Sequence, residues 1–276
     1  MHEPVLLNEV INFLDPQSGE FFIDGTSGAG GHSAAIKERI GAIGMLLSID
    51  WEKSGDNYAD LPEILQRKGL SKADGLLLDL GFSSDQLGGG KGFSFNADPD
   101  EPLLMTYDAN RTPAKQVLKE LSEHELAQVL KTYGEERYAR PIAASIKKRG
   151  RVKPVETVGE LVDAIMEAVP RNYERGRINP ATRTFMALRI YVNQELENLE
   201  SALQSLDLIV KPGGRIGIIS FHSLEDRLVK NYFRDLAKAN KLKILTKKPI
   251  VASPEEISRN PRSRSAKLRV AMLLAQ

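Results

Sequence analysis

The chain has 276 residues, 41% of them hydrophobic, enough to bury one sizeable core and a smaller second unit. Lysine and arginine (38) nearly cancel aspartate and glutamate (37), so net charge gives no argument for a polyanionic partner. Cysteine is absent, which excludes disulfides, zinc–thiolate sites and thiol nucleophiles and fits a reducing compartment.

The N-terminal stretch 1–15 lacks a basic region and a small-residue cleavage site, and no apolar run approaches the roughly 20 residues that span a bilayer. A cytoplasmic protein without a membrane partner is expected. Three short apolar runs follow, at 19–24 (GEFFID), 42–50 (AIGMLLSID) and 73–81 (ADGLLLDLG), with helical patterns between them. Continuous apolar strands alternating with helices point to parallel strands covered on both faces, hence to βαβ units in an α/β sheet. From 108 to 180 the apolar residues recur at three and four positions, predicting helices over 112–121, 122–132, 135–149 and 157–169. Ser122 with Glu125, and Thr157 with Glu160, have the capping-box spacing. A long crossover helix over 183–207 is expected to lead back to strands at 211–221 (KPGGRIGIISF) and 267–274 (KLRVAMLL), with a weaker strand at 243–249. The expected organisation is therefore a first sheet part over 1–107, a helical insertion over 108–180 and a second sheet part over 181–276.

Charge is uneven along the chain. Seven basic residues stand against two acidic ones over 134–153, and nine against two over 241–270. Such stretches are usually solvated faces; RNA contact is the alternative reading.

After the first strand comes DGTSGAGGHS (24–33), then a helix. Glycines at the carboxyl end of a first strand let the backbone pass close to a ligand, although a tight strand-to-helix turn uses them too. Asp50, at the end of the second strand and about 20 residues beyond the loop, can accept both hydroxyls of an adenosyl ribose. The dinucleotide spacing G-x-G-x-x-G is missing, since His32 follows Gly28, Gly30 and Gly31. A cofactor without a pyrophosphate, such as S-adenosylmethionine, suits this loop better than NAD or FAD. Asp79 falls at the carboxyl edge of the third strand, where a methyltransferase places a target-facing residue or where an acid merely caps a helix. His222, Ser223, Glu225 and Asp226 suggest a hydrolase or a metal cluster, but no G-x-S-x-G is present and a strand-to-helix corner explains them. No metal site is expected. Phe185, Leu188, Tyr191, Val192, Leu196 and Leu199 form a core stripe, and Arg183 and Arg189 are candidates for phosphate contacts.

Eight ordered blocks carry a resemblance: HEPVLLNEV (2–10), DGTSGAGGHS (24–33), LDLGFSSDQL (78–87), GFSF (92–95), YGEERYA (133–139), NPATRTFMALRI (179–190), KPGGRIGIISFHSLEDR (211–227) and NPRSRSAKLR (260–269). The chain resembles the MraW (RsmH) family of bacterial 16S rRNA cytosine-N4 methyltransferases. The resemblance implies a Rossmann-like α/β fold with an inserted helical domain that helps recognise RNA. It implies an S-adenosylmethionine site made by Gly30, Gly31, His32, Asp50, Tyr58, Asp79 and Gln86. It also implies the product, N4-methylcytidine at position 1402 in the decoding centre, formed on the 30S subunit or a late precursor. Asp79, with the carbonyl of Leu80, would accept from the N4 amine while Phe82 walls the flipped base. A methyltransferase of the same fold acting on another RNA or on a small-molecule amine is the rival, and a homodimer is left open.

The resemblance departs in three places: 101–108 (EPLLMTYD) lacks the Asp and Arg common in that segment, Asn179 stands where a His is common and so takes no proton-transfer role, and the third is the stretch between Asp50 and Asp79. Only 28 residues separate Asp50 from Asp79 and they carry one helix, over 59–69, where the family has a helix, a strand and a helix. About 20 residues, a strand with its connection, are expected to be absent near 53–56, either omitted from the chain or truly deleted.

Overall fold

In the computed structural model, which describes residues 3–81, 89–173 and 178–275, six strands form one sheet in the order β2-β1-β3-β4-β6-β5. They are β1 (Phe21–Asp24), β2 (Met45–Ser48), β3 (Ala73–Asp79), β4 (Val210–Ser220), β5 (Leu242–Ile244) and β6 (Lys267–Leu273). β2, β1, β3 and β4 run parallel, β6 runs antiparallel to β4, and β5 antiparallel to β6. The carboxyl ends of the four parallel strands therefore share one edge, the usual place for ligands in an open α/β sheet.

Burial explains the apolar runs. All four residues of β1 are buried, and the ring of Phe22 lies against the neighbouring strand so closely that a β-carbon on Gly75 would overlap it. One sheet face packs Val10, Leu14, Ile36, Ile40 and Leu77; the other packs Leu61, Ile64, Leu203, Ile216 and Phe233. Helices α1 (Leu7–Leu14) and α2 (Gly31–Ile40) cover the first, and α4 (Leu61–Lys68) contributes to the second. Between β2 and α4 lie a short helix α3 (Trp51–Ser54) and a 3₁₀ turn, Tyr58–Asp60. The expected helix over 59–69 thus starts as 3₁₀ and becomes α only at Leu61. β2 is the sheet edge and is unlike its neighbour: Met45 is 40% exposed and Leu46 and Leu47 are half-buried. No helix among the described residues is long and apolar enough to cross a membrane.

The chain divides into two compact units, residues 1–81 with 196–276, and residues 82–195. The second unit is wider at both ends than the expected 108–180. Its core explains why: Phe93, Leu103 and Met105 before that span, and Phe185, Leu188 and Val192 after it, bury in one cluster with Leu126, Ile142 and Leu161. The helices of this unit are α5 (Ala114–Glu120), α6 (Glu123–Gly134), α7 (Ala139–Gly150), α8 (Val158–Ala168) and α9 (Thr182–Asn193). Both expected capping boxes form, at Ser122 with Glu125 and Thr157 with Glu160. The single crossover helix expected over 183–207 does not form. Gln194 takes a left-handed conformation (φ 52°), ending α9, and α10 (Glu195–Gln204) and α11 (Leu206–Ile209) follow as separate pieces. The core stripe divides accordingly: Phe185, Leu188 and Val192 bury in the helical cluster, Leu199 in the sheet core.

Candidate active site

The turn after β1 is stitched to both neighbouring strands. Gly25 N donates to Leu77 O (2.9 Å), Ser27 N to Ile49 O (2.8 Å), and Asp79 N to the Thr26 hydroxyl (2.6 Å). Asp24, the last residue of β1, is buried and accepts from Ser33 Oγ (2.6 Å) and Thr26 N (3.2 Å). Desolvation pushes its pKa above the usual carboxylate range against the pull of the Ser33 hydroxyl. Gly30 caps α2 with φ 83°, a left-handed backbone that glycine adopts freely. Gly31 is required for a different reason, since a β-carbon there would stand 2.9 Å from Pro4 Cγ.

His32 opens α2 and is buried, with Nε2 2.9 Å from Val5 O and Nδ1 3.5 Å from Asp79 Oδ2. Asp79, at the end of β3, accepts weakly from Gly81 N (3.3 Å) and keeps 18% of its side chain exposed. Burial raises its pKa to about 6, with His32 opposing and Asp24 and Glu225 reinforcing the shift. Asp50 lies two residues past β2 and caps α3: Oδ1 accepts from Glu52 N and Lys53 N, both at 3.1 Å, while Oδ2 is 3.3 Å from Lys53 Nζ. Lys53, which sequence reading missed, also donates from Nζ to Gly28 O (2.7 Å), a link between residues 25 apart that no local pattern announces. Tyr58 begins the 3₁₀ turn beside the loop, 3.2 Å from where a β-carbon on Gly25 would be. Gly30, Gly31, His32, Asp50, Tyr58 and Asp79 thus meet along the β2-β1-β3 carboxyl edge; Phe82 and Gln86 lie outside the described residues.

Other candidates find structural partners. His222 caps α12 (Ser223–Lys238) through Nδ1, which accepts from Glu225 N (3.3 Å), and Glu225 Oε2 accepts from Phe221 N (2.8 Å) and His222 N (3.2 Å). Asp226 binds Arg269 (2.7 Å) and Lys267 (3.4 Å). A strand-to-helix corner therefore accounts for this cluster. Arg189 does not serve as the expected phosphate contact: it is 11% exposed and holds Glu195 through Nε and Nη2 in a bidentate pair. In the first basic stretch Arg149 pairs with Glu167, Lys153 with Glu160, and Lys147 donates to Leu118 O (2.6 Å). Lys148 lies in the field of Glu167, whereas Arg140 and Arg151 have no acidic partner among the described residues.

Residues 1–55 and 51–273 match the model of the MraW methylase family. The chain belongs to the MraW methylase family. A relative from Trichlorobacter lovleyi, "Ribosomal RNA small subunit methyltransferase H", is 42% identical, with 98% of this chain and 97% of the relative aligned. One of the same name from Koribacter versatilis is 43% identical over 98% and 93% of the two chains. This MraW-family methylase is a methyltransferase that uses S-adenosylmethionine, and its strand edge fits that donor. Asp50 and Asp79 beside that turn suit a sulfonium cation, and a β-carbon at Gly30 would meet nothing within 4 Å, leaving that side of the turn open. The two matched stretches meet at 51–55, the position of α3, and the alignment with the first relative runs over 306 positions, more than this chain holds. Relatives therefore carry residues that this chain lacks.

Proposed function

We propose that this methylase transfers a methyl group to the N4 amine of a decoding-centre cytosine in 16S rRNA, on the 30S subunit or its late precursor. The observation that carries the reading is the row of carboxylates at the ends of adjacent parallel strands, tied to one glycine turn. S-adenosylmethionine, when bound, supplies an electrophilic methyl on a cationic sulfur.

The chain's own residues do the rest. The exocyclic nitrogen of cytosine is a poor nucleophile because its lone pair is delocalised into the ring, so rate comes from alignment and from acceptors that take up charge as the nitrogen becomes cationic. Asp50 and the Gly30–Gly31 turn hold the donor, with Tyr58 and Gln86 beside the adenosyl group. Asp79 and the carbonyl of Leu80 accept from the amine; Leu80 is fixed by its own N–H, which donates to Ile219 O (3.0 Å). Phe82 walls the base once it is out of its stack. Arg140, Lys148 and Arg151 of the helical unit contact RNA phosphates.

The test is transfer of labelled methyl from the donor to naked 16S rRNA, 30S particles and free cytidine, with the product nucleoside identified by mass. Labelled N4-methylcytidine from the small subunit is the expected product. Label confined to another RNA or to free amines would overturn the reading, and calorimetry with S-adenosylmethionine against NADH separates donor binding from any dinucleotide affinity.

A further inference from the structure

We infer that His32 is a positioning residue that receives the reaction's proton through Asp79, its neutral ring being held with Nδ1 toward that carboxylate by the carbonyl of Val5. The inference rests on the function proposed above and goes beyond a cofactor contact for this histidine. A carbonyl can only accept, so at 2.9 Å from Val5 O the ring proton sits on Nε2, which donates to it. Nδ1 then carries a lone pair on the side of Asp79 Oδ2, 3.5 Å away, placed to take a proton from that carboxyl once the carboxyl holds one. The ring is 6% exposed, so water does not compete for Nδ1.

The step balances. As the N4–CH3 bond forms, the S–CH3 bond breaks and leaves its electron pair on sulfur, and the cationic amine gives one proton to the Asp79 carboxylate. Asp79 passes that proton to His32 Nδ1, producing an imidazolium with one N–H on Val5 O and the other on a carboxylate again ionised. The titratable groups that bear on Asp79 are His32 from α2, charged only when its ring is protonated, Asp24 from β1 and Glu225 from α12, with Asp50 acting on Asp24; among them only His32, once protonated, favours ionised Asp79. At neutral pH a carboxyl titrating at about 6 is mostly ionised, so it begins the cycle as an acceptor. On product release the proton leaves by the exposed fraction of Asp79.

Two measurements on the full-length protein decide the matter. In the ligand-free wild type, nitrogen-15 NMR of the histidine ring is expected to show the Nε2-protonated neutral tautomer at pH 8; an Nδ1-protonated ring overturns the inference. In His32→Ala and His32→Gln, the acid limb of kcat/KM, near pH 6 in the wild type, is expected to move up by about one unit, with kcat down about 10-fold to 100-fold and the donor Kd changed less than about threefold. An unmoved limb with a donor Kd weakened tenfold would mean a cofactor contact and sink the inference. Should either variant fail to fold, the tautomer in the wild type still decides. Absence of RNA methylation by the wild type would remove the function proposed above, a different outcome from a wrong tautomer.

Discussion

Asp50, two residues past β2, and Asp79, the last residue of β3, stand on one sheet edge on either side of β1 and have the same side chain, yet their surroundings differ in kind. Asp50 is anchored by two backbone N–H groups at the start of α3 and lies 3.3 Å from an ammonium. Among the described residues Asp79 has a single weak N–H donor, no lysine or arginine, and two further acids acting on it. Hydrogen bonds and a cation favour ionised carboxylate, whereas burial beside like charges disfavours it. Two carboxyls whose environments push them apart suit different tasks, and the proposed assignment follows that difference: the anchored one would offer a fixed acceptor to hydroxyls, and the other would gain and lose a proton near neutral pH.

Exchange of function between the two positions is the way to break that comparison, and the largest effect belongs to Asp79. Asp79→Asn keeps shape and loses basicity; kcat is expected to fall by about 10² to 10⁴ with the donor Kd within a few fold. Asp50→Ala should do the reverse, weakening the donor by about tenfold or more, measured by calorimetry, while kcat at saturating donor stays within a few fold. If Asp50→Ala abolishes kcat and Asp79→Asn only weakens binding, the assignments are the wrong way round.

A smaller effect concerns stability and has the opposite sign to the loss of activity. A carboxyl raised from 3.8 to about 6 binds its proton more tightly folded than unfolded, so its contribution is favourable below about pH 4 and is lost as pH rises through 6. At pH 8 the ionised group costs the fold on the order of 1–3 kcal/mol. Asp79→Asn should therefore melt higher than the wild type at pH 8, and the difference should shrink as pH falls from 6 towards 4. A variant that melts lower at pH 8 would show that Asp79 is a structural acceptor.

Much of this edge was legible in the order of residues. Continuous apolar runs marked β1, β2 and β3 because strands covered on both faces cannot alternate, and Asp50 and Asp79 stood at their ends. Capping boxes at Ser122 and Thr157 were legible because they are local, complete within four residues. What escaped depends on distant partners. Val5 and His32 are 27 residues apart, and Arg189 reads as an exposed cation until the break at Gln194 turns Glu195 back onto it. The compact helical unit extends beyond 108–180 for a similar reason: helical periodicity locates helices, but Phe93, Leu103 and Met105 join that core from segments without any. Asp24, the most buried acid of the edge, sat inside a motif whose glycines drew the attention.

The smallest effect sharpens what Asp50 does. Lys53 is 62% exposed, and its ammonium links Asp50 Oδ2 to the carbonyl of Gly28 across the mouth of the turn. An exposed pair of this kind contributes little to the fold, because solvent screens it and a long side chain must be ordered to make it. Its position nevertheless puts a cation on the oxygen left over once Oδ1 has capped α3, the oxygen that the proposed ribose contact would use. Lys53→Met removes that competitor and leaves both N–H bonds to Asp50 intact. The donor is expected to bind up to about threefold more tightly, with less dependence of Kd on salt and an unchanged kcat. A tenfold weaker donor would instead place Lys53 among the groups that hold it, and Asp50 would then act through the lysine and not directly on the hydroxyls.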